Sequence, residues 1–150
     1  MKLLFIFTIL LFSNISCTAT NMKIILKTDK EKIIIPDKDV SEELLVLLKE
    51  LVTNTDDMLK VYLSPERILN IKQKEQYIEF IFDSKIVVSS NNFGDYKINK
   101  ILIPLSGDFA PSKDSPNTTV ILGDESYISG PLRNSDGYQF IKRILTLLQN

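Results

Sequence analysis

Residues 77–105 read YIEFIFDSKIVVSSNNFGDYKINKILIPL, and this stretch decides the fold. Three runs within it are rich in the β-branched and aromatic side chains that favour strands: residues 77–82, 85–89 and 97–105. Asp83-Ser84 predicts a hairpin turn between the first two runs. Residues 91–95 predict a second turn, because Asn, Gly and Asp tolerate turn conformations. The stretch therefore predicts an antiparallel meander of three strands.

Further strands are predicted on both sides of this meander. Downstream, residues 118–122 form an apolar β-type run that ends at Gly123. Upstream, residues 22–28 and 32–35 form two β-type runs, with a turn at Asp29-Lys30 and an end at Pro36. These two upstream runs are predicted to pair as a hairpin.

The most regular helical pattern in the chain lies between the upstream hairpin and the meander. Asp39 or Ser41 is predicted to cap this helix, and acidic side chains follow in its first turn, where they favour the positive end of the helix dipole. Its apolar positions share one line on the helix: Leu44, Leu48, Leu51, Thr55 and Met58. Such a wide apolar face needs a sheet or another helix to cover it.

Two further helices are predicted from their starting signals. Ser64-Pro65-Glu66 combines an N-cap residue, a proline at the first helical position and an acid in the first turn, so a short helix is expected to about Lys72. Asn134 or Ser135 is predicted to cap a C-terminal helix, with apolar residues on one face from Ile141 to Leu148. The sequence thus predicts an α+β fold: a largely antiparallel sheet of about five to six strands, with two main helices packed on one face.

The first residues indicate export. Lys2 is followed by an apolar run over residues 3–12, broken only by Thr8, and then by a short polar segment. About ten apolar residues are too few to span a bilayer as a helix. A positive start, a short apolar run and a small-residue exit are typical of a secretory signal peptide. We therefore predict a signal peptide over residues 1–16.

Cys17, the only cysteine of the chain, follows the apolar run directly after Ile15 and Ser16. This arrangement resembles the lipobox of bacterial lipoproteins. The resemblance implies that Cys17 carries the lipid and becomes the first residue of the mature protein. The resemblance also implies attachment to the cell membrane or the outer membrane. From the pattern of the remaining chain we predict residues 17–21 as a short tether and residues 22–150 as a single globular domain. The alternative to lipidation is cleavage after Ala19, which gives a soluble secreted protein.

The composition excludes several classes of site. The chain has no His and one Cys, which removes Ser-His-Asp and Cys-His catalysis, His-ligated zinc and intramolecular disulfides. The formal net charge of −1, with scattered lysines and few arginines, does not predict a nucleic-acid partner. No phosphate-binding glycine motif is present, and we expect no cofactor and no resident metal.

Carboxylates at two strand ends are the first candidate for chemistry. Asp108 follows the strand that ends near residue 105, while Asp124 and Glu125 follow the strand 118–122. If these strands are parallel neighbours, the three carboxylates meet at one end of the sheet and can bind a cation or act as an acid-base pair. If the strands are antiparallel, the carboxylates lie at opposite ends. The alternative is a structural role, in which Gly and Asp form turns at the strand ends and carry no chemistry.

Two weaker binding candidates lie in connecting segments. Residues 109–117 form the longest loop, and Phe109 at its base is either a hydrophobic anchor or an exposed contact. A polar and aromatic turn over residues 127–134 includes Arg133, which can bind a carboxylate or phosphate through two hydrogen bonds or pair with an acid of its own chain.

The sequence therefore predicts an exported, lipid-anchored cell-envelope protein that binds a partner and is not an enzyme. Its expected partners are a membrane, through the lipid on Cys17, and an envelope protein. Two alternatives stay open: a small exported hydrolase or metal-dependent enzyme that uses Asp108, Asp124 and Glu125, and an inhibitor-type protein that presents the 109–117 loop.

Overall fold

A computed structural model describes residues 21–111 and 115–149 of the chain. The predicted signal peptide, the cleavage position and the lipidation residue Cys17 lie outside the described residues.

Seven strands form one antiparallel sheet in the described part of the chain. Their order across the sheet is β2-β1-β4-β5-β6-β7-β3, and every neighbouring pair is antiparallel. In chain order the strands are β1 (Met22–Lys27), β2 (Glu31–Ile34), β3 (Asp57–Met58), β4 (Tyr77–Ser90), β5 (Gly94–Pro104), β6 (Thr118–Gly123) and β7 (Leu132–Asn134). The long strands β4 and β5 lie at the centre, so they form the frame on which the rest is placed.

Three helices pack on this sheet: α1 (Lys38–Thr53), α2 (Pro65–Lys74) and α3 (Tyr138–Leu147). Side chains of α1 and α3 share a large core with one face of the sheet, which includes Ile78 and Phe80 of β4. Side chains of α2 share a smaller core with the opposite face, which includes Tyr77 of β4. Since successive strand residues point to opposite faces, the sheet lies between two helical layers of unequal size.

The predicted α+β class and the antiparallel sheet are confirmed, but the predicted counts were too low. Two short strands were not predicted, because β3 has two residues and β7 three, too few for a period to be recognised. The helix after Ser64 was predicted, but its place was not: α2 covers the face opposite α1 and α3.

The predicted hairpin at Asp83-Ser84 was wrong. Both predicted runs belong to the single strand β4, whose register against β5 shifts between Ile81 and Ile86. A two-residue hairpin turn needs positive φ angles, which an Asp-Ser pair without glycine adopts poorly. The chain instead reverses before Gly94, whose φ of 85° suits glycine.

Two predicted caps were also wrong. The N-cap of α1 is Asp37, whose side chain accepts a hydrogen bond from the Val40 amide, so neither Asp39 nor Ser41 caps the helix. The helix ends at Thr53, before the predicted Thr55 and Met58. Asn134 does not cap α3 either: it lies in β7, where its amide donates to the Leu51 carbonyl at 2.9 Å and ties the sheet to α1.

Candidate functional site

The sheet keeps the predicted carboxylate candidates apart. Strands β5 and β6 pair antiparallel, with Leu102 opposite Ile121, so the segment after β5 and the segment after β6 lie toward opposite ends of the sheet. Asp108 is therefore separated from Asp124 and Glu125. Within residues 21–111 and 115–149, no group of three or more acidic or cysteine side chains is placed to hold a metal ion. Of the two arrangements that the sequence left open, the antiparallel one is present, so the three carboxylates do not meet at one end of the sheet.

Each of the two aspartates pairs instead with a basic side chain close by. Asp108 lies 3.9 Å from the Arg67 guanidinium, and Asp124 lies 2.5 Å from the Lys85 ammonium. The hydrogen bond from Lys85 to Asp124 raises the pKa of that lysine. Both aspartates therefore act in the structure as partners of surface cations.

Phe109 is buried, with only 8% of its surface exposed, and it belongs to the small core under α2. The Arg67 guanidinium stacks over its ring at 5.1 Å from the ring centre. Of the two predicted roles, the structure favours the anchor: Phe109 fixes the start of the 109–117 loop to α2.

Arg133 pairs within its own chain. Its guanidinium lies 3.6 Å from the Asp57 carboxylate on the neighbouring strand β3 and also donates to the Ser115 hydroxyl at 3.4 Å. These contacts connect β7, β3 and the end of the 109–117 loop, so they favour a structural role for Arg133.

A polar cavity of about 550 Å³ lies between α2 and the start of this loop. Arg67, Glu75 and Asp108 line it, together with the buried Phe109. Burial raises the pKa of Glu75, the nearby Asp108 charge raises it further, and Arg67 lowers it. Three acidic side chains, Glu66, Glu75 and Asp108, therefore face one basic side chain, Arg67, in this cavity.

A second cavity, of about 460 Å³, opens on the other flank of α2, and we call it the α2 groove. Its apolar wall is formed by Leu63, Pro65 and Ile68 at the start of the helix. Its opposite side is formed by Lys100 of β5 and by residues 125–127 and 129 of the loop after β6. A mainly apolar concave surface with a few polar groups is the usual character of a ligand site.

Local sequence explains the apolar wall. The Ser64 hydroxyl accepts a hydrogen bond from the Arg67 amide, and Pro65 occupies the first helical turn, where its missing N–H costs no helical hydrogen bond. The Ser64 cap and Pro65 together fix the direction of the backbone that leads into the helix. Leu63 and Ile68 are buried there, and they hold the wall against the sheet.

The opposite side of the α2 groove depends on a close approach at Gly123. The Lys100 and Tyr127 side chains pack over the Gly123 backbone, and a Cβ at this position would meet atoms of both at 2.9 Å. The Ile128 amide donates to the Leu122 carbonyl at 2.8 Å, which returns the loop onto the end of β6. Glycine is therefore required at residue 123 for the groove to have this shape.

Tyr127 forms the floor of the α2 groove and is rigidly held. Its ring lies 5.1 Å from the Lys100 ammonium and 5.6 Å from the Lys72 ammonium. Its hydroxyl donates to the carboxylate of Glu79, which is only 2% exposed, and Lys72 pairs with the same oxygen at 2.5 Å. Burial and then the bond to Glu79 raise the pKa of Tyr127 well above its usual value.

One exposed apolar side chain lines the α2 groove, and two others are exposed on the segments that form it. Tyr62 lines its mouth with 74% of its surface exposed. Leu69, one helical turn after Pro65, is 55% exposed, and Ile128, between two lining residues, is 38% exposed. Apolar and aromatic side chains grouped around a cavity are typical of an interaction site, unlike single exposed residues.

Sequence reasoning found only part of this site. The turn over residues 127–134 was predicted as a binding candidate, but the predicted binding residue was Arg133 and not Tyr127. Tyr62 and Lys100 carried no signal of their own, because only the packing of α2 against β5 and β6 brings them to the same groove.

Among the described residues, no helix is long and apolar enough to cross a membrane. Comparisons of the chain with protein-family models, with curated proteins and with solved structures find no match.

Proposed function

We propose that this chain is an exported cell-envelope protein, anchored to the cell membrane or outer membrane by lipid on Cys17, and that its folded part binds a partner in the α2 groove. The export and anchoring parts rest on the first 17 residues: the charged start, the short apolar run and the lipobox-like cysteine. A lipidated Cys17 carries several acyl chains, and two or more chains hold a protein stably on a membrane.

The exposure of Tyr62 at the mouth of the α2 groove carries the binding part of the proposal. A tyrosine that is 74% exposed buries apolar ring surface when a partner covers it, and its hydroxyl stays available for hydrogen bonding. Tyrosine is one of the residue types that contribute most to binding energy at protein interfaces. The held floor at Tyr127 means that the groove is formed before a partner arrives, which lowers the entropy cost of binding.

Site-specific cross-linking in the native host tests the binding role. A photo-reactive phenylalanine analogue replaces Tyr62 in one strain and Tyr138 in a second strain. Tyr138 is the matched control, because it is an exposed tyrosine on α3, on the opposite side of the sheet. The proposal predicts a discrete cross-linked envelope protein from the Tyr62 strain alone. Equal cross-linking from both positions, or none from Tyr62, would contradict it.

A second candidate is the inhibitor-type protein that presents the 109–117 loop. The anchoring of the loop favours it: Phe109 is buried at the start, and Ser115 contacts Asn117 and Arg133 near the end. Loops with fixed ends lose less entropy on binding than free ones. If the loop is the binding element, deleting residues 111–116 is expected to abolish binding of the partner. A partner that still binds the deletion variant favours the α2 groove as the binding site.

A further inference from the structure

The Lys100 ammonium in the α2 groove has no carboxylate partner in the described part of the chain. It donates to the backbone carbonyl of Glu125 at 2.9 Å, and it lies over the Tyr127 ring. Its neighbour Lys72 is different, because that ammonium already pairs with the buried Glu79. An ammonium has three donors, so Lys100 keeps N–H groups for a bound anion. The groove thus offers one half-buried positive charge to a ligand.

Beside this charge lies an apolar wall of limited size. Leu63, Pro65 and Ile68 face the cavity, whose volume of about 460 Å³ suits a small segment of a ligand. An apolar side chain that enters the groove loses its contact with water against this wall, which favours binding by about 25 cal/mol for each Å² buried. A fitting ligand therefore places an apolar side chain close to an anion.

The charges that line the α2 groove favour a ligand with few negative charges, because they are one ammonium, Lys100, and one carboxylate, Glu125. The Glu125 carboxylate is exposed at the rim and repels a second negative group. Ser126 and Ser129, which also line the groove, provide hydroxyls that accept hydrogen bonds from peptide N–H groups or donate to peptide carbonyls. A polyanion such as a nucleic acid fits this rim poorly, while a peptide backbone fits it well.

From these contacts we propose that the α2 groove binds the free C-terminus of a protein chain that ends in an apolar residue. This inference rests on the proposed binding function of the groove. The terminal carboxylate pairs with the Lys100 ammonium, and the last side chain packs against Leu63 and Ile68. The preceding residues of the bound chain run past the exposed Tyr62, and the ring of Tyr62 favours a longer polypeptide over a single amino acid.

Peptide binding to the purified full-length mature protein, extracted from membranes in detergent, tests this inference. The probe is the hexapeptide Ser-Gly-Ser-Ala-Ala-Leu with a fluorophore on its N-terminus, made once with a free carboxylate and once as the C-terminal amide. Fluorescence anisotropy is expected to give a Kd of about 1 mM or lower for the carboxylate form and binding at least about tenfold weaker for the amide. Equal affinity for the two forms, or no binding of the carboxylate form, would overturn the inference.

Two pairs of variants test the assigned contacts. Lys100→Met is expected to reduce the affinity for the carboxylate form to that for the amide, while Lys97→Met, at an exposed lysine of the same strand, leaves it unchanged. Because Lys100 packs on Tyr127, the exposed Tyr62→Ser variant provides a second test that does not disturb the core, with Tyr138→Ser as its control. Tyr62→Ser is expected to weaken binding at least about threefold, and an unchanged affinity in either groove variant contradicts the inference.

Failure of this inference is distinguishable from failure of the proposed function. A cross-linked envelope protein at Tyr62 together with no binding of the carboxylate hexapeptide rejects the C-terminus as the ligand but keeps the groove as a binding site. Absence of both cross-linking and peptide binding rejects both.

Discussion

At the scale of single residues, the buried carboxylate of Glu79 connects the segments that form the α2 groove. Its carboxylate is 2% exposed in the middle of the sheet and is held by Lys72 and by the Tyr127 hydroxyl. Burying a carboxylate is costly unless a cation and hydrogen bonds compensate for lost hydration. Lys72 thus links α2 to the sheet, and Tyr127 links the loop after β6 to the same point.

Loss of Lys72 tests this role. Lys72→Met leaves Glu79 buried without its cation, and we expect the free energy of unfolding to fall by about 3 kcal/mol. Lys74→Met is the matched control, because Lys74 is exposed in the same helical turn, and its loss is expected to change stability by less than about 0.5 kcal/mol. Chemical denaturation of both variants measures the difference. Equal small effects would show that the Lys72–Glu79 pair contributes little.

Two tyrosines, the buried Tyr77 and the half-buried Tyr127, make the stability of the protein depend on alkaline pH. Burial and then the hydrogen bond to Glu31 raise the pKa of Tyr77 to about 12, and burial with the bond to Glu79 raises the pKa of Tyr127. In the unfolded chain both phenols ionise near pH 10. The unfolded state therefore releases protons first as the pH rises, so the stability is complete below pH 10 and is lost above it.

We accordingly expect the free energy of unfolding to decrease between about pH 10 and pH 12. Denaturant titrations at a series of pH values measure this, and Tyr77→Phe is expected to make the decrease shallower. A stability that stays constant over this range would contradict the assigned burial of the two hydroxyls.

At the scale of elements, the two helical layers differ in how firmly they are attached. Six residues of α1 are buried, whereas two residues of α2 are, Ile68 and Ile71. Local opening costs least where few apolar side chains are buried. The wall of the α2 groove is therefore built on a helix that is less firmly attached than α1.

Hydrogen exchange tests this difference. The central amides of α2 are expected to exchange through a local opening of lower free energy than those of α1, which exchange with the core of the sheet. Native-state exchange followed by mass spectrometry or NMR separates the two helices. Equal opening free energies in α1 and α2 would show that the α2 layer is as firmly attached as the larger layer.

Sequence patterns predicted the first hairpin and the helices because their signals are local, although the long strand β4 was predicted as two strands. The 22–35 hairpin, the cap at Ser64 and most of α1 follow from patterns within a few residues of each other. Strand β7 and the placement of α2 depend on pairing with residues far away in the chain, which no local pattern encodes. The same reason explains why Tyr62 and Lys100 were not predicted to share a groove, and why the sequence left open whether Asp108 and Asp124 meet.

At the scale of the whole molecule, the described fold and the proposed export and anchoring concern different parts of the chain. The described residues form an antiparallel sheet between two helical layers, with the α2 groove on the thinner side. The proposed export and anchoring concern the first 17 residues, which contribute the only cysteine of the chain. An anchored protein with an open groove suits a partner in the same envelope compartment.

Removal of the lipid acceptor tests the anchor genetically. Cys17→Ser is expected to shift the protein from the membrane fraction to the soluble fraction, or to leave an uncleaved precursor, because no acyl chains are then attached. Immunoblotting of fractionated native host cells measures the distribution, with Ser16→Ala as the neighbouring control. A mature-length Cys17→Ser protein that stays in the membrane fraction would argue against lipid anchoring.

The mass of the N-terminal peptide from the native host tests the central claim most directly. We predict that the membrane fraction contains a peptide that begins at Cys17 with a diacylglyceryl or triacyl modification. An unmodified peptide that begins at Thr20 would contradict the anchor and indicate a soluble secreted protein. A peptide that retains Met1 would contradict export itself.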